Sequence, residues 1–255
     1  MAVVQHARNL SGELTDRFRS PNIWNGRYGG FPMTRYLYNP DQYVYLWDDF
    51  DNVPLLTTNT ADEARYASYI DTGNTIQAAA DQQNRGVLEL VTDATDNDGP
   101  VITMQGNKGG TVLIGNTAGD AMPLWFESRW NKSSITNNQA GVFIGLSEEA
   151  RAADDGLLVD DTAVPITTID VLGFNVVQAE GAELDFVYQK ASQALQVLND
   201  AMDTLVAATW VKTGFRYDPQ AVAAKKGKVF LNNVEQSTYV PPALIDAAPF
   251  PEAEE

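Results

Sequence analysis

From Tyr43 onward the apolar positions come in short runs, each bounded by polar turn residues. The runs lie at residues 43–47, 67–71, 86–91, 100–104, 111–114, 123–130, 141–146, 170–176, 182–188, 195–198, 209–217 and 228–231. They are rich in Val, Ile, Leu, Phe, Tyr and Trp, and their lengths suit strands. The segments between them carry turn chemistry: Asp71-Thr72-Gly73-Asn74, Asp96-Asn97-Asp98-Gly99-Pro100, Gly106-Asn107-Lys108-Gly109-Gly110 and Asp154-Asp155-Gly156. No long amphipathic stretches alternate with the strands, which disfavours a parallel α/β fold. Short helical turns are expected only at residues 61–66 and 147–153. In the second, Ser147 is placed to cap and Glu148 and Glu149 suit the positive end. The pattern predicts an all-β, antiparallel sandwich over residues 43–255.

The first zone has a different texture. Residues 1–42 show neither a 3.6 nor a 2.0 period. Pro21, Pro32 and Pro40 and several glycines break regular structure, yet aromatics are frequent. A solvated linker would lack them. This zone is read as an extended N-terminal arm that gains order by lying on another surface. Its candidate partner-binding residues are Arg17, Arg19, Trp24, Arg27, Tyr28, Phe31, Arg35, Tyr36 and Tyr38.

Charge sharpens the division. The 255-residue chain has a formal net charge of −17. Residues 1–40 carry five arginines against Glu13 and Asp16, a net +3, which leaves −20 for the rest. A body so acidic is repelled by nucleic acid and by anionic membranes, so neither is expected as a partner. Cysteine is absent, which excludes disulfides, zinc–thiolate sites and thiol nucleophiles. The single histidine, His6, lies in the arm, so a Ser-His-Asp relay is not expected. The opening residues lack an apolar export core and no apolar run is long enough to span a bilayer, so synthesis in a reducing cytoplasm is the expectation.

Residues 120–234 resemble the concanavalin A-like lectin/glucanase superfamily. The resemblance is carried by PLWFESRW (residues 123–130), AGVFIGLSEEA (140–150), and TWVKTGFRYD (209–218) followed by KGKVFLNNVE (226–235). It implies a jelly-roll sandwich. In type, the arm followed by a sandwich looks most like decoration and cement proteins of tailed-phage virions. Sandwiches of that kind close with one more strand, and none is evident after residue 235.

Two activities of that superfamily can be tested on the residues. Retaining glucanases place two carboxylates on one strand face as nucleophile and acid/base. Here Glu183-Leu184-Asp185-Phe186-Val187-Tyr188 supplies Glu183 and Asp185, but Tyr188 stands where the second glutamate belongs. A phenol with a pKa near 10 is a poor proton donor to a leaving group. No catalytic residue is therefore assigned, and the protein is expected not to be an enzyme. Glu183 and Asp185 are read as the wet face of a strand. For metals, the Asp93–Gly99 stretch fails the EF-hand register, because aligning Gly99 with the sixth position puts Ala94 first and Gln105 twelfth. It is read as an exposed turn. Asp154, Asp155, Asp160 and Asp161 are read as a solvated acidic face. No metal and no cofactor are expected.

Of the tryptophans, at least two of Trp125, Trp130 and Trp210 are expected in the core, with Trp24 and Trp47 as interface anchors. The expected function is a non-enzymatic virion structural protein on the outer capsid surface. It would bind the major capsid protein and neighbouring copies of itself, as a homotrimer, through the arm. The alternative is a carbohydrate- or receptor-binding, lectin-like module of a phage tail, with Trp125 and Trp130 as its glycan-binding residues.

Overall fold

The computed structural model describes residues 50, 66–79, 86–93, 99–104, 123–148, 157–159, 162–165, 167–218, 221 and 227–240. Residues 1–42, read above as an arm, Trp47, residues 94–98 and the acids at 154, 155, 160 and 161 lie outside them. The chain divides into two compact units, residues 1–54 with 77–89 and residues 55–76 with 90–255.

All regular structure among the described residues is β, and its sheets are antiparallel wherever strand register is defined. The strands are β1 (Tyr66–Tyr69), β2 (Thr75–Ala78), β3 (Leu88–Val91), β4 (Val101–Met104), β5 (Leu124–Trp130), β6 (Val142–Ser147), β7 (Val171–Val176), β8 (Glu183–Gln189), β9 (Gln196–Thr204), β10 (Val211–Tyr217), β11 (Gly227–Leu231) and β12 (Val234–Val240). No described helix is long and apolar enough to cross a membrane.

In the first unit, Gln77 donates from Nε2 to Glu89 Oε2 at 3.0 Å, and Ala79 N–H donates to the Val87 carbonyl at 3.0 Å. These bonds belong to the β2–β3 pair.

In the second unit, β1 pairs with β4. The Asp71–Asn74 turn forms as its sequence predicts, with Asn74 N–H donating to the Asp71 carbonyl at 3.1 Å. Gly73 takes φ +98° there, and a Cβ on it would overlap the Asp93 carboxylate.

The body of the second unit is a pair of four-stranded sheets, ordered β12-β11-β10-β5 and β6-β7-β8-β9. Alternation explains why they share one core. Positions 172, 174 and 176 of β7 and 184, 186 and 188 of β8 point one way; positions 211, 215 and 217 of β10 and Val229 of β11 meet them from the other sheet. Aromatic rings join the layers. Phe215 stacks on Phe126 at 5.0 Å and faces Phe186 at 5.6 Å, while Phe174 meets Phe186 edge-on at 5.1 Å. Burying each ring contributes roughly 1.5–3 kcal/mol.

Two close approaches shape the sheets. Gly145 and Gly173 face each other across β6 and β7, and a Cβ on Gly173 would meet the Ile144 carbonyl at 2.6 Å and the Phe143 ring at 2.9 Å. The ring thus fills the space a side chain would take. At the other sheet, Asn232 (φ 48°) and Asn233 (φ 68°) form the two-residue turn between β11 and β12. Asn232 also reaches the next strand: its N–H donates to the Lys212 carbonyl at 2.7 Å, and its Oδ1 accepts from Lys212 N–H at 3.0 Å. One turn therefore fixes three strands.

The strand missing from the sequence reading is present: β12 follows the Asn-Asn turn and pairs with β11. Ser147 is the last residue of β6, paired with Val171, and residues 149–153 of the helical turn expected after it lie outside the described residues. Tyr66, expected to end a helical turn, opens β1.

Candidate functional site

The two outer faces of this body carry its polar chemistry. The face of β5, β10 and β11 is charged and aromatic. Register sets Trp125 beside Arg216 beside Lys228, then Glu127 beside Gly214 beside Phe230, then Arg129 beside Lys212. Each cation has a partner. Lys212, only 6% exposed, lies 3.5 Å from Glu127. Arg216 donates to Asp218 at 2.6 Å and lies 5.8 Å from the Trp125 ring centroid. Lys228 donates to Glu235 at 2.6 Å, and Arg129 sits 4.8 Å over Trp210. Burial pushes the Lys212 amine below its usual value; Glu127 acts against that, and Arg129 adds to it. Phe230 on the same face is fully buried.

The outer face of β6–β9 is mostly neutral. Val171, Asn175, Val187 and Gln189 are buried on it. Leu157 and Ile169 pack there against Val171, Phe143 and Leu195. Gln189 donates from Nε2 to the Ile169 carbonyl at 3.1 Å.

Asp185 stands out on this face. The residue is 4% exposed, so it is not part of a wet strand face. The reason is a bulge in the neighbouring edge strand. The step from Leu184 to Phe186 on β8 is matched by the longer step from Asp203 to Asn199 on β9. The surplus residues of β9 lose their ladder partners, and Ala201 among them takes φ 49°. Ala201 N–H donates instead to Asp185 Oδ1 at 2.8 Å. Burial holds the Asp185 carboxyl above the usual carboxylate range; the Ala201 N–H opposes this, while Asp200 and Glu183 reinforce it. Glu180 is raised as well, by burial and then by repulsion from Asp185, Glu183 and Asp200.

Tyr188 points the other way. It is fully buried in the shared core, on the face opposite Glu183 and Asp185. The strand therefore does not bring Tyr188 together with the two carboxylates. Burial also raises its phenol.

The tryptophan pair is not brought together either. Trp125 and Trp130 are five residues apart on β5 and so point to opposite faces. Trp130 is 8% exposed in the core, its indole N–H donating to Thr213 Oγ1 at 3.1 Å. It presents no ring for a sugar. Trp125 is half-buried on the outer face beside Arg216, and Trp210 is half-buried beside Arg129. Of the three, only Trp130 is core, one fewer than expected. The arm candidates Arg17, Arg19, Trp24, Arg27, Tyr28, Phe31, Arg35, Tyr36 and Tyr38 lie outside the described residues.

Sequence reasoning missed Asn175 and the pairing partners Glu127 and Lys212. The signal for the latter was present: acidic and basic residues at alternate positions of two otherwise apolar strands. Among the described residues no group of three or more acidic or histidine side chains is arranged to hold a metal ion. No family model, curated protein or solved structure matches the chain.

Proposed function

We propose that the protein is a structural component of a bacteriophage virion, a decoration or cement protein that binds the outer capsid surface. Its sandwich would be a concanavalin A-like jelly roll serving as the solvated head. Its first 42 residues would be the arm that contacts the major capsid protein and neighbouring copies, with a trimer as the expected assembly. The observation that carries this reading is the division of charge and aromatic content along the chain: +3 with many aromatics before residue 41, −20 after it. The body adds support, since its charged outer face is occupied by internal pairs and its core is filled by its own rings. Adhesion then falls to the first zone, where apolar contact of about 25 cal/mol per Å² offsets the ordering of an arm. Repetition over a lattice multiplies a modest contact.

The test keeps the whole chain. Trp24, Tyr28, Phe31, Tyr36 and Tyr38 are replaced together by Ser, and co-sedimentation with virions or empty shells is measured. The proposal expects loss of particle binding with an unchanged far-UV circular dichroism spectrum. Full binding by the substituted protein would sink it. The lectin alternative now rests on Trp125 alone. Glycan-array binding that disappears in Trp125→Ala would favour it.

A further inference from the structure

Asn175 on β7 is 1% exposed, and neither Oδ1 nor Nδ2 of its amide has a hydrogen-bond partner. Leaving such a group unsatisfied costs on the order of 1–3 kcal/mol, so each instance calls for a reason. Its cross-strand neighbour on β8, on the same face, is Asp185. Asp185 Oδ1 is already engaged by Ala201 N–H. Its other oxygen, Oδ2, is the one that can take a proton without disturbing that bond.

We propose that Asn175 and Asp185 form a proton-operated latch. Protonated at Oδ2, Asp185 donates to Asn175 Oδ1, while Oδ1 of Asp185 goes on accepting from Ala201. One neutral side chain then ties β7, through β8, to the bulge of β9. The proton comes from solvent, and no other bond changes. Among the described residues, the charged groups that bear on Asp185 favour the neutral acid. Glu183 lies on β8 itself, Asp200 on β9 and Glu180 in the turn before β8. From β6 the register partner of Asn175 is Phe143, which is uncharged. Deprotonated, Asp185 is a buried anion in a negative field, and Asn175 Oδ1 loses its donor.

The direction of the pH effect follows. A carboxyl raised above its usual 3.8 in the folded chain gives stability that is fully present below 3.8. That stability is lost as pH rises through the folded value.

The experiment titrates the full-length protein from below the ordinary aspartate value up to neutral pH, with NMR of the Asn175 side-chain amide and of the Asp185 carboxyl carbon. The expected result is that both signals move with one midpoint, above the ordinary aspartate value. Denaturant unfolding of Asp185→Asn, which keeps an acceptor for Ala201 N–H, should lose the part of the pH dependence that the parent chain shows over that midpoint. Asn175 amide signals that stay fixed while Asp185 titrates would overturn the latch. So would an Asp185 midpoint at or below the ordinary value. Should Asp185→Asn fail to fold, the two signals in the parent chain decide the question alone.

Discussion

The outer faces of the two sheets solve one problem in different ways. Both must present polar side chains on strands whose opposite face is a hydrophobic core. The β5–β10–β11 face does it with charges in couples: Lys212 with Glu127, Arg216 with Asp218, Lys228 with Glu235. The β6–β9 face does it with few charges and with backbone. Gln189 binds a carbonyl, Asp185 binds the amide that a bulge leaves unpaired, and apolar residues cover the rest. Paired charges tolerate partial burial because each neutralises the other. A lone buried acid instead makes its surroundings sensitive to a proton.

The comparison can be broken first through what the faces share. Phe186 touches the rings of both sheets, so Phe186→Ala should cost about 3–5 kcal/mol. Both faces should then unfold together. Two separate transitions in a denaturant titration, read by Trp fluorescence and by circular dichroism, would show that the sheets are independent.

A smaller effect separates the faces. Glu127→Gln leaves the Lys212 cation with its nearest carboxylate gone and should destabilise by about 1–3 kcal/mol, below the fully buried limit because Glu127 keeps some solvent contact. Replacing both partners, Glu127→Gln together with Lys212→Met, removes the cation and the carboxylate at once and should be close to neutral. The parent chain carries the sign in its pH response. An amine held below its usual 10.5 penalises folding wherever it is charged. Stability should therefore rise as pH climbs through the window just under 10.5, and Lys212→Met should flatten that rise in urea unfolding curves. An unchanged slope would refute the coupling.

The smallest effect lies in the bulge. Ala201 occupies a left-handed conformation that disfavours a Cβ. Ala201→Gly should stabilise by about 0.5–1 kcal/mol, seen as a modest rise in Tm. A fall would mean that the alanine methyl contributes packing there.

How much of this was legible in the sequence depends on the strand. β5, β7, β8 and β10 were visible because their runs are long and rich in β-branched and aromatic residues. β9 was seen only at its start: beyond Leu198 it reads Asn-Asp-Ala-Met-Asp-Thr, and a bulged edge strand does not keep a period of two. β12 escaped because Glu235, Gln236, Ser237 and Thr238 give an edge strand a polar face and few apolar landmarks. At the candidate sites, alternation alone separates Trp125 from Trp130 and Tyr188 from Asp185. Burial of Asp185 could not be read, since it answers an unpaired amide sixteen residues away. That amide exists only once β9 pairs with β8.

The bond from Trp130 to Thr213 joins residues 83 positions apart, and β5 is held along its length by β10. The two meanders, β6 to β9 and β10 to β12, need only neighbours in the chain. β5 does not. During synthesis at about 5–20 residues per second, it leaves the ribosome roughly 4–17 seconds before its partner. Its apolar side, Leu124, Phe126 and Trp130, faces the core shared with β7 and β8, but its backbone waits through that interval for the strand that pairs with it. Docking of the β5 segment should thus close the sandwich late. Conditions that slow translation between residues 130 and 211 should burden chaperones more than those that slow it elsewhere.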